Sequence, residues 1–257
     1  MTAYLDELFS LRGRCAVVTG GSSGIGRAIA RALGGAGAAV VVVARRELRL
    51  AETVAELTRR GYRAAYVRAD LGDRAAVARA AEDAVKPFGE PDILVTSAGV
   101  NPRPPLAELS VEQWDHTMAV NLDAPFLLGQ RYGPAMAERG WGRIIHVASQ
   151  QAFRAFNNSG GYGASKAGVV ALARSQAEAW SGRGVCCNAL VPGFVITPLT
   201  AAVAADPDMV EALAARTMVG RNGLPDDFAG AAVFLASLAA GYVTGQAIFV
   251  DGGFSAR

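Results

Sequence analysis

The apolar positions of the chain follow two alternating patterns. Short runs rich in Val and Ile predict strands, and longer stretches with apolar residues at helical spacing predict helices between them. The predicted strands cover residues 15–20, 39–44, 63–69, 92–98, 143–149, 185–191 and 246–252. The predicted helices cover residues 24–34, 47–60, 73–86, 111–139, 163–181 and 226–238.

This alternation indicates the fold class. Strands that are apolar on both faces and are separated by helices are typical of a parallel sheet covered on both sides. Right-handed crossovers then predict an α/β protein with a doubly wound parallel sheet, the Rossmann fold, as a single domain over residues 1–257. The segment at about 194–221 interrupts the alternation, so we expect it to form a lid over a site.

The composition is that of a well-buried globular protein. Of the 257 residues, 51% are hydrophobic and 19% are charged, and the formal net charge is +2. So small a charge gives no reason to expect a nucleic-acid partner. No apolar run reaches the length of a membrane span, and the N-terminal residues lack the layout of a secretion signal. We therefore expect a cytoplasmic protein without a membrane partner.

Cysteine and histidine usage predicts neither disulfides nor a metal site. Cys15, Cys186 and Cys187 form no CxxC pair, and the last two lie in an apolar run, where reduced thiols act as small hydrophobic residues. A reducing compartment is the expected location. Neither His116 nor His146 has a second ligand at metal spacing, so no metal is expected.

The first predicted strand runs into a glycine-rich loop, "TGGSSGIG", that precedes a predicted helix. Gly20 permits a tight turn, Gly24 lets a phosphate approach the backbone, and Gly26 lets the helix pack closely. The helix N-terminus adds free N–H groups and a positive dipole end. A glycine loop alone is often only a turn, but this position between strand and helix favours a dinucleotide site. The residues expected to contact the cofactor here are Gly20, Ser22, Ser23, Gly24, Ile25 and Gly26.

The end of the second strand indicates which dinucleotide is used. An NAD site places an acidic residue there for the ribose hydroxyl, whereas this chain has Arg45 and Arg46 after an alanine. Guanidinium groups suit a 2′-phosphate, so NADP(H) is favoured over NAD(H). The alternative is that both arginines are solvated residues at a helix start and that Glu47 supplies the acid. Asp70 and Leu71, after the third strand, are expected to contact the adenine.

The stretch "YGASK" places Tyr162 and Lys166 one helical turn apart, on one face of a predicted helix. Ser149 ends the preceding strand, at the edge where a doubly wound sheet binds ligands. A phenol has a pKa near 10, about three units too high for a base at neutral pH, and a nearby ammonium together with the cationic nicotinamide of an oxidised cofactor favours the phenolate. Tyr162 is therefore the predicted acid or base, with Ser149 as a donor to the substrate oxygen. The alternative is a chance pairing on one helix face.

Together these motifs resemble the short-chain dehydrogenase/reductase family over nearly the whole chain. The resemblance is carried by "TGGSSGIG", Ser149, "YGASK", "NALVPG" at 188–193 and "VDGG" at 250–253. It implies that Lys166 also holds the ribose hydroxyls, that Asn121 completes a catalytic tetrad by fixing a water, and that the protein is a homotetramer. It also implies cofactor contacts from Ala98, Gly99, Pro192, Gly193, Val195 and Thr197, besides those from Tyr162 and Lys166.

One stretch departs from the family pattern. After the fourth strand the family commonly reads "NNAG", whereas this chain reads "TSAG", with Thr96 and Ser97 in place of both asparagines. We expect the departure to affect how the strand is supported and not the activity. Ala98 and Gly99 still allow the backbone to approach the cofactor.

The resemblance implies the interconversion of a ketone and a secondary alcohol with NADP(H). Three stretches, "LFSLRGR", residues 98–106 and residues 220–237, look like sugar-acid dehydrogenases of the gluconate 5-dehydrogenase and deoxygluconate dehydrogenase types. A small sugar acid or polyol is therefore the expected substrate. Its expected contacts are Arg103, Gln151, Arg154 and Phe194, with the two arginines as carboxylate clamps. Exposed loop cations are the alternative for both arginines.

Two other functions stay open at this point. A 3-oxoacyl-carrier-protein reductase or a secondary-metabolite ketoreductase would use the same chemistry. However, of the two arginines that dock the carrier protein in that family, one position falls on Gly140 and the other on Arg183. A nucleotide-sensing regulator on the same fold would typically lack Tyr162 or Lys166, and both are present here.

Overall fold

The structure is a computed structural model that describes residues 3–257, and its centre is one seven-stranded sheet. The strands are β1 (Cys15–Thr19), β2 (Ala39–Ala44), β3 (Ala64–Arg68), β4 (Ile93–Thr96), β5 (Gly142–Val147), β6 (Val185–Pro192) and β7 (Ala247–Val250). Each lies within two residues of its predicted bounds. All neighbouring pairs are parallel, and the order across the sheet is β3-β2-β1-β4-β5-β6-β7. The predicted doubly wound α/β fold is confirmed.

Helices connect the strands and cover both faces of the sheet. They are α1 (Ala3–Phe9), α2 (Gly24–Gly35), α3 (Glu47–Arg59), α4 (Arg74–Val85), α5 (Val111–Met118), α6 (Ala124–Glu138), α7 (Gly160–Trp180), α8 (Ala201–Ala204), α9 (Pro207–Ala215) and α10 (Ala229–Ala236). Between α5 and α6 lies a π-helical turn, Ala119–Asp123. The single helix predicted over 111–139 is thus divided by one wider turn.

Two apolar cores, one on each face of the sheet, explain why the strands carry no polar alternation. In β1, Val17 packs into the core that includes Tyr132 of α6, whereas Val18 packs into the core that includes Leu33 of α2. Successive side chains of a strand point to opposite faces, so a strand buried on both must be apolar throughout. Every residue of β1 is buried.

The strand order places a ligand crevice at the carboxyl end of β1. The second and third strands are added outward on one side of β1, and the chain then returns to add β4 on the other side of β1. At such a switch point the two connecting segments leave toward opposite faces and open a gap above the strand ends. The glycine loop after β1 and the "TSAG" loop after β4 both border this gap.

Two features lie outside the sequence prediction. Helix α1 was not predicted, and none of its residues is buried. The segment 194–221 holds α8, α9 and a 3₁₀ turn at Pro198–Thr200, and one isolated bridge joins Val195 to Gly223. Within residues 3–257, no helix is both long and apolar enough to cross a membrane. Nor does this part of the chain gather three or more potential metal-binding side chains.

Candidate active site

The turn between β1 and α2 has no room for side chains. Gly20 has a φ of 67°, and a Cβ there would lie 2.8 Å from the backbone nitrogen of Ala98. A Cβ on Gly26 would lie 2.5 Å from the carbonyl oxygen of Gly20. Ser23 precedes the helix, but its hydroxyl does not cap it. The first N–H groups of α2 are thereby left for an anion, and the loop fits a pyrophosphate.

A cavity of about 250 Å³ lies beyond this loop, at the ends of β2 and β3. Its lining includes Ser22, Arg45, Arg46, Asp70 and Leu71, all predicted cofactor contacts. The two arginines are exposed, and within the described part of the chain neither forms an ion pair. The structure therefore brings two unneutralised guanidinium groups to the rim of the predicted adenosine side.

Glu47, the alternative candidate for the acidic residue of an NAD site, contacts β3. Its carboxylate lies 3.5 Å from Nη1 of Arg68 and 3.5 Å from the hydroxyl of Tyr66, both on β3. Glu47 is absent from the lining of the cavity that contains Arg45. The charged residues in the lining of this cavity are Arg45, Arg46 and Asp70.

A second cavity, at the predicted nicotinamide end, is lined by the predicted catalytic residues and by most of the other predicted cofactor contacts. It has a volume of about 170 Å³ and is lined by Ser149, Tyr162 and Lys166 together with the glycine loop. Less than a tenth of each of these three residues is exposed. The other predicted contacts in its lining are Gly20, Ser23, Gly24, Ile25, Gly26, Ala98, Gly99, Pro192, Gly193, Val195 and Thr197.

Lys166 reaches the site from the first turns of α7. Its Nζ donates a hydrogen bond to the carbonyl oxygen of Val147, at 2.7 Å, and lies 5.7 Å from the ring centroid of Tyr162. A Cβ on Gly99 would lie 3.8 Å from this Nζ, so the glycine keeps the space beside the ammonium open. Burial lowers the pKa of Lys166 to about 8.

The protein's own groups do not acidify the phenol of Tyr162, whose pKa lies above its ordinary value. Burial raises it, and the opposing influences are the hydroxyl of Ser149 and the positive charge of Arg103. The prediction combined two acidifying charges, the ammonium of Lys166 and the cationic nicotinamide of the oxidised cofactor. Among the protein's own groups, removing a phenolate from water costs more than the surrounding dipoles and charges return. The buried phenol is therefore held in its neutral form, which can donate a proton.

Asn121 lies in the π-helical turn and is fully buried. Its Oδ1 accepts from the N–H of Val100 at 2.9 Å, and its Nδ2 donates to the carbonyl oxygen of Val100 at 2.9 Å. The same Nδ2 donates to Oγ of Ser165 on α7 at 3.0 Å. The side chain thus ties the loop after β4 to the helix that carries Tyr162. A π turn is a common device at functional sites, where it changes the aim of one residue.

The "TSAG" loop is supported by hydroxyl groups. Oγ1 of Thr19 accepts hydrogen bonds from the N–H groups of Ser97 at 3.1 Å and Ala98 at 3.2 Å. Oγ1 of Thr96 lies 2.7 Å from Nδ1 of His146, which joins β4 to β5. The two residues that depart from the family pattern therefore belong to a connected support beneath the cavity.

His146 has a structural environment that the sequence did not reveal. Its Nε2 lies 2.8 Å from Oε1 of Gln176 on α7, so the imidazole bridges β4, β5 and α7. It is completely buried, and burial lowers its pKa to about 4. The ring is therefore neutral at physiological pH. Because Gln176 Oε1 accepts from Nε2–H, Nδ1 accepts from the Thr96 hydroxyl.

A third cavity, of about 320 Å³, opens beside Ser149 and Tyr162. Three of the four predicted substrate contacts, Arg103, Gln151 and Phe194, line it. Nη2 of Arg103 donates to the carbonyl oxygen of Asn157 at 2.9 Å, which holds the guanidinium at the rim. The placement of this cavity next to the phenol suits a substrate whose carbonyl or alcohol oxygen reaches Tyr162.

Arg154 is not part of this cavity, which corrects the prediction that it clamps a substrate carboxylate. Its guanidinium donates to the carbonyl oxygen of Ser255, in the C-terminal segment. Spacing from Ser149 placed it nearby in sequence, but the 3₁₀ turn Gln150–Ala152 directs the chain away. Conversely, Asn101, Leu199, Val203, Met209 and Leu213 line the cavity without having been predicted. Only the tertiary packing of the 194–221 segment brings the last four here.

Comparison with known proteins agrees with this geometry. A family model described as enoyl-(acyl carrier protein) reductase matches residues 20–255. The chain is 41% identical to D-threitol dehydrogenase of Mycolicibacterium smegmatis, over 98% of this chain and 97% of that protein. It is 39% identical to 2-dehydro-3-deoxy-D-gluconate 5-dehydrogenase of Pseudoalteromonas atlantica, over 98% of this chain and 99% of that protein.

A solved structure has the same fold over nearly its whole length. It is a gluconate 5-dehydrogenase from Burkholderia cenocepacia in complex with NADP and tartrate. The TM-score is 0.93 at 36% sequence identity, and the match covers 98% of this chain and 99% of the other.

Proposed function

The chain belongs to the short-chain dehydrogenase/reductase family, and we propose that it uses NADP(H), in preference to NAD(H), to interconvert a ketone and a secondary alcohol on a small sugar acid or polyol. The oxidoreductase class follows from the relatives, which are dehydrogenases of threitol and of a sugar acid. The observation that carries the proposal is the shared cavity in which Ser149, Tyr162 and Lys166 meet the glycine loop.

The cofactor site fits a dinucleotide from end to end. The loop after β1 offers uncapped N–H groups of α2 to a pyrophosphate, and cavities open on both sides of it. NADP(H), when bound, supplies or accepts the hydride. Lys166 lies where its ammonium would hold the ribose hydroxyls, close to the backbone of Gly99.

Tyr162 is the proposed general acid in ketone reduction. Its neutral phenol donates a proton to the carbonyl oxygen as hydride reaches the carbonyl carbon, and a secondary alcohol forms. In the reverse direction the phenolate accepts the alcohol proton. Ser149, which also lines the substrate cavity, donates a hydrogen bond to the same oxygen. Asn121 fixes the loop after β4 against α7 and keeps these groups in register.

The preference for NADP(H) rests on charge at the adenosine side. Arg45 and Arg46 line that cavity, while Glu47 is engaged with β3. A 2′-phosphate would accept forked, charge-assisted hydrogen bonds from a guanidinium, whereas a 2′-hydroxyl would leave both cations without a partner. The relative from Burkholderia cenocepacia was solved with NADP.

The substrate side combines one cation with hydrogen-bonding groups. Arg103 lies close enough to Tyr162 for its charge to lower the phenol pKa, and Gln151 and Phe194 line the same cavity. A carboxylate on the substrate would pair with Arg103 while its hydroxyl group faces Tyr162. The 194–221 segment forms the opposite wall and would act as a lid, closing on the bound substrate.

Assembly and location complete the proposal. Apolar side chains are exposed on α5 and α6: Val111 is 69%, Trp114 39% and Phe126 43% exposed. A homotetramer that buries this surface is consistent with the hydrophobic effect and is testable by light scattering of the purified protein. The three cysteines are buried and free, which supports a cytoplasmic location.

Initial rates test the function directly. We expect NADPH to support reduction of keto acids or keto sugars with a kcat/KM at least tenfold above that with NADH. Tyr162→Phe should lower kcat by about a thousandfold or more while NADPH still binds, as measured by its fluorescence. Tyr242→Phe, which removes an exposed phenol remote from the cavity linings, is the matched control. A Tyr162→Phe enzyme with near-normal turnover would exclude the proposed acid.

A further inference from the structure

The substrate cavity lies between two segments that are far apart in the sequence. One is the loop 150–159, which precedes the helix that carries Tyr162 and which supplies Gln150, Gln151 and Phe156 to the cavity lining. The other is the 194–221 segment, which supplies Phe194, Leu199, Thr200, Ala202, Val203, Met209 and Leu213. The width of the cavity therefore depends on how these two segments are held against each other.

The residues after β7, which we call the clasp (residues 251–257), bond to the end of the 194–221 segment. The carbonyl oxygen of Gly252 accepts hydrogen bonds from the N–H groups of Met218, at 2.8 Å, and Val219, at 3.2 Å. Gly252 has a φ of 64°, and a Cβ there would lie 2.7 Å from Cγ2 of Val219. Glycine at this position therefore allows the close approach of the two chain segments.

The clasp also contacts the loop 150–159. The guanidinium of Arg154 donates a hydrogen bond to the carbonyl oxygen of Ser255. The ring of Phe254 stacks on the ring of Phe156, with the two centroids 6.2 Å apart and an angle of 26° between the ring planes. The clasp is thus bonded to both of the segments that enclose the substrate cavity.

Phe254 is the residue of the clasp that contacts both segments through its side chain. It is only 3% exposed, and Cζ of Arg216, in the 194–221 segment, lies 4.3 Å from its ring centroid. The ring therefore combines burial with an aromatic contact and a cation–π contact. Within residues 3–257, the side chains that line the substrate cavity include Phe156 and not Phe254. Phe254 can influence the substrate only through the residues that it holds.

We propose that Phe254 is a positioning residue for substrate binding, which fixes Phe156 and the loop 150–159 relative to the 194–221 segment and thereby sets the width of the substrate cavity. This inference rests on the proposed function, because it concerns the same site. It assigns to the clasp the task of keeping the cavity formed before the substrate arrives.

The other contacts of the loop 150–159 with the rest of the chain are more exposed. Nη2 of Arg103 donates to the carbonyl oxygen of Asn157, and both residues are partly or largely exposed. The ring of Phe153 lies 5.0 Å from that of Phe249 on β7, but Phe153 is 48% and Phe249 38% exposed. Burial of apolar surface is the larger source of stability, so the buried ring of Phe254 should contribute most to holding the loop.

Loss of the Phe254 ring should act on substrate binding more than on turnover. If the loosened loop occupies its binding position for about a tenth of the time, the apparent dissociation constant for the substrate rises about tenfold. Once the substrate is bound, the loop is back in position. Ser149 follows β5 and Tyr162 belongs to α7, so the reacting groups stay in place.

Initial rates with NADP⁺ test this expectation, with whichever of gluconate and D-threitol gives the higher kcat/KM as the substrate. Phe254→Ala should raise KM for the substrate about tenfold and change kcat by less than about threefold, with the affinity for NADPH unchanged in fluorescence titration. Phe254→Leu keeps an apolar side chain in the buried position and should restore most of the affinity. An unchanged KM, or an equal loss of NADPH affinity, would overturn the inference.

The matched control is Phe88→Ala. The ring of Phe88 also lies close to an arginine, with Cζ of Arg63 4.8 Å from its centroid, but it precedes β4 at the opposite edge of the sheet from the site. This variant should leave KM unchanged even where it lowers the stability of the protein. A rise in KM equal to that of Phe254→Ala would show that general loosening of the fold explains the effect.

A double-mutant cycle tests whether Phe254 acts through Phe156. Phe156→Leu alters the cavity lining and should itself raise KM for the substrate. If the two rings act as one unit, adding Phe254→Ala to Phe156→Leu should raise KM little further. Fold-changes that multiply in the double variant would show that Phe254 does not act through Phe156.

Hydrogen–deuterium exchange, with and without NADPH, separates this inference from the proposed function. Phe254→Ala should make residues 150–159 exchange about tenfold faster and leave the glycine loop, residues 20–26, unchanged. If exchange changes in this way but neither alcohol is oxidised, the role of Phe254 stands and the proposed function fails. If an alcohol is oxidised but exchange at 150–159 is unchanged, the proposed function stands and the role of Phe254 fails.

Discussion

Replacing His146 with glutamine should change how the stability of the protein depends on pH. The imidazole is completely buried between Thr96 and Gln176, and its pKa falls from 6.5 to about 4. Between these values the unfolded chain binds a proton that the folded protein refuses, so stability is lost as pH falls from about 6.5 to about 4. The whole difference corresponds to about 3 kcal/mol, of which about 2 kcal/mol is lost by pH 5.

Urea unfolding followed by circular dichroism at several values between pH 7.5 and pH 5 measures the effect. At pH 7.5 the His146→Gln protein should be less stable by about 1–2 kcal/mol, because hydrogen bonds and packing are disturbed. As pH falls, the gap should close by about 2 kcal/mol, since the variant has no imidazole to desolvate. His116→Gln, on exposed α5, controls for loss of an imidazole as such. A gap that stays constant with pH, or closes equally for both variants, would refute the burial explanation.

Three further substitutions address the site. Arg45→Ala should raise KM for NADPH by about tenfold or more and KM for NADH by no more than about twofold, by initial rates; Arg49→Ala, which removes an exposed cation of α3 that pairs with Glu52, should leave both unchanged. Arg103→Gln should move the ascending limb of the kcat/KM–pH profile for oxidation of a neutral alcohol to higher pH, because that limb reports formation of the Tyr162 phenolate and the charge of Arg103 lowers the pKa of Tyr162; an unmoved limb would show no such influence. Gly26→Ala should weaken NADPH binding about tenfold or more in fluorescence titration, since its Cβ would lie 2.5 Å from a backbone carbonyl oxygen. Normal affinity would mean that the backbone of the loop shifts to accommodate the methyl group.

The sheet and the cofactor loop could be predicted from the sequence because both depend on residue types that are close together in the chain. Strands such as Ala39–Ala44 are uninterrupted β-branched runs that only a doubly covered sheet can bury. Gly20 occupies a left-handed conformation, a requirement that the residue type itself reveals. The contacts of Tyr162, Ser149 and the glycine loop followed from the rule that strand ends border the crevice.

What the sequence did not reveal depends on contacts between distant segments. Thr96 and His146 pair across fifty positions of the chain, and no local sequence pattern at either residue predicts this contact. The direction of the Tyr162 pKa shift depends on the degree of burial, which spacing cannot supply. Leu199, Val203, Met209 and Leu213 join the substrate cavity only through the tertiary packing of the 194–221 segment, and the alanine-rich sequence of this segment has no period that specifies the placement.

The π-helical turn at Ala119–Asp123 has the geometry of a single extra residue inside an otherwise regular helix. Deleting one residue there should replace the wider turn with an α-helical one and make the isolated helix thermodynamically more favourable. The same deletion would rotate Asn121 out of reach of Val100 and Ser165. Selection for thermal tolerance and selection for turnover would therefore act on this turn in opposite senses, so libraries screened only for heat resistance should accumulate inactive shortened variants at this position.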